Sequence, residues 1–87
     1  MARRLTMRAE DGTASVDPGM MQEAIQRLAA YEDMHDDLEA RYEDLEAKVE
    51  ERKAAGTIKG AAGNQLLAQT VALKTTLGMF EIYGIED

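Results

Sequence analysis

The chain has 87 residues, 9.6 kDa, no cysteine and a formal charge of −7, with 45% hydrophobic and 31% charged residues. That length permits one small domain with a core too small to be self-sufficient, and the absence of cysteine excludes disulfide staples and thiol chemistry. The acidic balance argues against direct binding of nucleic acid or of an anionic membrane surface, and the high content of helix-forming residues points to a mainly α fold.

In chain order, the first segment (residues 1–17) predicts a β-hairpin arm. Leu5–Arg8 and Thr13–Val16 are short β-compatible runs flanking Glu10-Asp11-Gly12, and Asp-Gly between such runs is a hairpin turn signal. Three arginines open the chain with no apolar run behind them, so no signal peptide is expected. The longest uncharged stretch, Gly60–Leu73, is 14 residues against the ~20 needed to span a bilayer, so no membrane segment and a cytoplasmic location are expected.

The second segment (residues 18–55) predicts one long helix. Asp17 is its N-cap, Pro18 its first residue, and Gly56 its C′ stop, with Arg52 and Lys53 suited to the negative helix end. Met21, Leu28, His35, Tyr42 and Val49 fall at heptad a positions; Ala24, Tyr31, Leu38 and Leu45 fall at d. An 11-residue echo, Tyr31-Glu32-Asp33 and Tyr42-Glu43-Asp44, leaves the supercoil hand open. Parallel pairing would set Arg27 against Glu32 and Arg41 against Glu46 of a second copy, so parallel self-association is favoured. The expected homo-oligomer interface is Leu28, Tyr31, His35, Leu38, Tyr42, Leu45 and Val49. Glu23–Arg27, Asp37–Arg41 and Asp44–Lys48 are i,i+4 ion pairs.

The third segment (residues 56–87) is a Gly-rich junction followed by a helix or helix pair with apolar residues on nearly all sides, a composition that demands burial. Gly84 is a C′ residue with Ile85 set to fold back on Phe80. A break near Thr70 or Lys74-Thr75-Thr76 would make two helices. The segment is too short to cover the whole seam of the long helix, so the expected architecture is a single domain assembling as a homo-oligomeric helical bundle.

Chemistry is sparse. One histidine, one serine (Ser15, in the hairpin) and no cysteine offer no nucleophile–base pair, so no enzyme activity and no cofactor are expected. Glu32-x-x-His35 has the spacing of di-metal bundles, but the surrounding core lacks further carboxylates, and the expected role of His35 is a polar seam residue rather than a metal ligand. The acids of Glu32–Glu51 alternate with bases in heptad register, a pattern that nucleic-acid mimicry does not require. Arg3, Arg4 and Arg8 read as exposed edge-strand side chains.

Charge placement singles out the junction. Residues 10–51 hold 14 acids and 3 bases, whereas residues 52–80 hold Arg52, Lys53, Lys59 and Lys74 and no acid. Glycines and an emerging helix N-terminus can present amides to an anion. Arg52, Lys53, Thr57, Lys59, Gly60, Asn64 and Lys74 are therefore the candidate ligand-binding residues. A flexible, closely packed turn is the simpler reading of the same glycines.

Arg27-Leu28-Ala29-Ala30-Tyr31-Glu32-Asp33 resembles the "RLAAYED" segment of small proteins from phages and prophages of Firmicutes. Leu5–Arg8 with Asp11-Gly12-Thr13, and Phe80–Ile85, are similar to their openings and endings. The commonest version ends the helix with "YEDTGL", whereas Met34-His35-Asp36-Asp37 continues it here. The resemblance implies a phage accessory protein in the bacterial cytoplasm. The expected function is antagonism of antiviral defence by sequestering a cyclic nucleotide or ADP-ribose-type messenger at subunit junctions. The alternatives are inhibition of a host defence or regulatory protein through the acidic helical surface, or a structural coiled-coil role.

Overall fold

A computed structural model describes residues 3–85. Residues 1, 2, 86 and 87, the outer ends of the first and third predicted segments, lie outside the described residues. The elements are β1 (Thr6–Arg8), β2 (Ala14–Val16), a 3₁₀ turn (Pro18–Met20), α1 (Met21–Ala55) and α2 (Ala61–Ile82). The fold is mainly helical with a short antiparallel hairpin, and among the described residues no helix is long and apolar enough to cross a membrane. The chain divides into two compact units, 3–34 and 35–85, with α1 contributing to both.

In the first unit, β1 and β2 pair antiparallel with Thr6 opposite Val16 and Arg8 opposite Ala14. The turn is tight: the Gly12 amide donates to the Ala9 carbonyl at 3.0 Å and the Ala9 amide to the Thr13 carbonyl at 2.9 Å. Gly12 has φ 88°, the left-handed value that closes a three-residue hairpin loop, so the Asp-Gly signal marks the turn as expected. The Asp11 carboxylate accepts from the Thr13 amide at 2.9 Å, and Thr13 holds the Asp11 carboxyl below its ordinary range. A depressed folded pKa means the contribution is present above the unfolded value, about 3.9, and is lost as pH falls through the lower folded value. The Thr13 amide resonance is therefore expected to titrate below pH 3.9, and a midpoint at or above that value would remove this bond's role.

Asp17 caps the helix start as its residue type requires, its carboxylate accepting from the Gly19 amide at 2.9 Å. Pro18 opens a single 3₁₀ turn before α1 begins at Met21, three residues later than the sequence suggests. Half-buried Leu5, Val16, Met20, Ala24 and Arg27 mark the side on which the hairpin meets α1, and the Arg27 guanidinium donates to the Arg3 carbonyl. That bond replaces the expected Glu23–Arg27 pair: a backbone carbonyl within reach holds the guanidinium, and an exposed i,i+4 pair gains only tenths of a kcal/mol. Asp37–Arg41 and Asp44–Lys48 do form, at 2.8 and 3.0 Å.

In the second unit, the chain reverses over residues 56–60 and α2 runs back along α1. Gly56, at φ 72°, is the C′ residue of a Schellman closure. Its amide donates to the Lys53 carbonyl at 3.2 Å and the Thr57 amide to the Arg52 carbonyl at 2.8 Å. The same motif ends α2, where the Gly84 amide reaches Glu81 and the Ile85 amide reaches Phe80, at 2.9 and 2.8 Å. α2 is one helix. Thr70, Thr75 and Thr76 fold their hydroxyls onto the carbonyls four residues back, at 2.9 to 3.1 Å, and so leave the ladder unbroken where a break was conceivable.

The facing rows explain the pairing. His35, Leu38, Tyr42, Leu45, Val49 and Arg52 on α1, and Leu66, Thr70, Leu73, Leu77 and Phe80 on α2, are buried or half-buried at alternating three- and four-residue spacings. The His35 and Phe80 rings stand 4.9 Å apart. Val49 is the one buried hydrophobic side chain among the described residues. Of the residues expected to meet a second copy, His35, Leu38, Tyr42, Leu45 and Val49 thus face α2 of their own chain, because a five-residue turn makes an antiparallel neighbour locally available. Leu28 and Tyr31, in the first unit, stay exposed at 59% and 54%.

Candidate functional site

Gly63 fixes how the turn meets α2. It is buried in the first turn of the helix, and a Cβ there would lie 1.7 Å from the Ile58 carbonyl oxygen. The loop backbone therefore lies against the helix start. Gly60 is the N-cap and supplies no side-chain acceptor, so the first amides of α2 are free of a capping side chain, and no acidic residue occupies that first turn.

Beside this turn a groove of about 710 Å³ opens between the two helices, lined among others by Lys48, Glu51, Arg52, Thr57, Gln65 and Gln69. The Arg52 guanidinium is held over the turn, donating to the Thr57 carbonyl at 3.4 Å, while the Thr57 hydroxyl donates to the Arg52 carbonyl at 3.5 Å. Lys48 is tethered to Asp44 and enters the groove from α1. The lining therefore combines two cations, two amide side chains and a hydroxyl with a single acid, a donor-rich set suited to a polyanionic oxygen ligand.

The seven sequence-predicted ligand residues do not converge. Arg52 and Thr57 line this groove. Lys53 pairs with Glu50 at 3.6 Å. Lys59, Gly60 and Asn64 belong to the turn and the start of α2 but lie outside the groove lining; the Asn64 amide donates to the Gly60 carbonyl at 2.9 Å. Lys74 belongs to a second groove of about 460 Å³, with His35, Glu39, Tyr42, Leu77 and Glu81. Lys48, Gln65 and Gln69 line the groove and are not among those seven. Their signal was spacing: Lys48–Arg52 and Gln65–Gln69 are each one helical turn apart, so each pair presents donors on one face.

Near the second groove, His35 Nδ1 and Glu39 Oε1 stand 3.1 Å apart. With Asp36 they bring three potential ligand atoms within 4.8 Å of one another. Glu32, the partner suggested by sequence spacing, is not in this group. In the first unit, Arg3, Arg4, Arg27, Leu28 and Tyr31 line a groove of about 420 Å³, where the Arg4 side chain donates to the Thr6 carbonyl at 3.0 Å.

The fold and grooves define a class: a β-hairpin arm followed by an antiparallel helical pair with a cationic groove at its turn. Compared with known proteins, the chain matches no family model, no curated protein and no solved structure.

Proposed function

We propose that the chain is a small binding protein that holds a phosphorylated, nucleotide-type molecule in the groove beside the α1–α2 turn. The observation that carries this reading is the donor set Lys48, Arg52, Thr57, Gln65 and Gln69 around a space of about 710 Å³ in a chain of charge −7. A ligand pocket for a molecule of that size occupies roughly 300–1,000 Å³. Joined to the resemblance of the RLAAYED segment to phage accessory proteins, it supports a role as a sponge that withdraws a signalling nucleotide from a bacterial antiviral defence system.

The test is calorimetric titration with cyclic dinucleotides and ADP-ribose derivatives. Binding is expected to fall at least tenfold in Arg52→Glu, about 1.4 kcal/mol, while Lys59→Glu changes it little because Lys59 lies outside the lining. No binding by the wild type, or equal loss in both variants, removes the reading. A second reading is inhibition of a host protein through the acidic outer face of α1. The observation favouring it is that Glu43, Asp44, Glu46 and Glu50 are all exposed on one stretch of that helix.

A further inference from the structure

His35 is the single histidine of the chain, and the packing of α1 on α2 holds its ring in place. Its side chain is 14% exposed, and the Phe80 ring of α2 stands 4.9 Å away. Nδ1 is directed one turn along α1 to Glu39, whose Oε1 lies at 3.1 Å. The exposed Asp36 carboxylate completes the group, so that one potential ligand atom from each of the three residues lies within 4.8 Å of the other two. Among the described residues no other histidine or carboxylate triplet gathers so closely.

We propose that His35, Asp36 and Glu39 bind a divalent transition-metal ion of the zinc class. The separations suit such an ion. Bonds of about 2.1 Å place neighbouring ligand atoms about 3.0–3.4 Å apart and opposite ones about 4.2 Å apart. Nδ1 and Oε1 already stand at the first of these separations, 3.1 Å. Asp36, being exposed, closes its remaining distance by turning about its own side-chain bonds. The donor set selects the metal. An imidazole nitrogen with two carboxylates suits zinc, whereas calcium and magnesium take sites built from oxygen. Three protein ligands leave a tetrahedral ion one position for water. A ring already fixed against Phe80 also loses little freedom when the ion arrives.

Charge favours a cation at this end of the helical pair. Residues 35–43 hold four acids against one base, Arg41, and Arg41 is tied to Asp37 at 2.8 Å. Glu81, next to Phe80 in the chain, lines the groove of about 460 Å³ together with His35 and Glu39 and adds a carboxylate from α2. Lys74 lines that groove too, but it precedes Glu81 by two helical turns, about 10 Å along the axis. Sequence spacing alone favours Glu32 as the partner of His35 and finds no further carboxylate in the core. The structure turns His35 the other way along α1, to a half-buried Glu39 beside an exposed Asp36. The inference is independent of the proposed nucleotide site, since no residue lining that groove lines this one.

Isothermal titration calorimetry of the full chain with zinc chloride at neutral pH is expected to show one saturable site. Affinity is expected to fall at least tenfold in Glu39→Gln, and to stay within about twofold in Glu46→Gln, an exposed acid of α1 outside the group. Magnesium in large excess is expected to leave the zinc in place. A second measurement needs no substitution. The carbon-bound protons of the one imidazole give resonances that belong to His35 alone, and these are expected to move as zinc is added and to stop at one equivalent. Uptake without saturation, displacement by magnesium, equal loss in both variants or unmoved His35 resonances would overturn the proposal and leave His35–Glu39 as a hydrogen bond only.

Discussion

Gly63→Ala is expected to destabilise the protein, although alanine is the better helix former. In an ordinary helix interior the exchange gains up to about 1 kcal/mol. Here the new methyl carbon would sit 1.7 Å from the Ile58 carbonyl oxygen and closer than van der Waals contact to its carbonyl carbon, both backbone atoms. Backbone cannot swing aside as a flexible side chain does, so the turn must move away from α2, and overpacking of this kind costs about 1–3 kcal/mol or more. The net effect is a loss of about 2 kcal/mol, read as a lower urea midpoint by far-UV circular dichroism. A raised midpoint would mean that the Ile58–Gly63 approach does not hold the turn.

Val49→Asp is expected to have the larger effect. Val49 is the single buried hydrophobic residue among those described, at 7% exposed, and it sits where the facing rows of α1 and α2 come closest to excluding water. Of the cations one turn on, Arg52 is engaged with the Thr57 carbonyl and Lys53 with Glu50, and burial of an incompletely paired charge costs several kcal/mol before the group protonates or the helices part. A loss of about 3 kcal/mol or more is expected, enough to separate the helical pair in a chain of this size. Amide exchange in α2 then becomes fast at neutral pH and slows again in acid, where the side chain is neutral. Protection in α2 equal to that of the wild type at pH 7 would contradict the placement of Val49.

Local signals carried most of the fold, and their success has a common cause. Asp11-Gly12, Asp17-Pro18, Gly56 and Gly84-Ile85 each act within a few residues through a dihedral preference or a single hydrogen bond. The structure places a turn, a cap or a Schellman closure at each. Long-range choices were less legible. The heptad row from His35 to Val49 records only that something apolar covers it, and cannot say whether the cover is a second chain or the return stroke of the same one. The threonines of α2 carry the same ambiguity, since a β-branched hydroxyl residue can interrupt a helix or bond back into it. At the candidate site the charge pattern pointed to the α1–α2 turn, and of the seven residues it singled out Arg52 and Thr57 line the groove beside that turn. It spread the remaining positions along the turn because periodicity across two helices emerges only once their facing sides are known.

The thinness of the interior has a calorimetric consequence. The rows between α1 and α2 are half-wetted rather than sealed, so unfolding one copy brings comparatively little new apolar surface into water. Heat-capacity change scales with that surface, and it sets the curvature of stability against temperature. A single copy therefore answers to warming along a shallow slope, without the sharp threshold of a chain with a sealed centre.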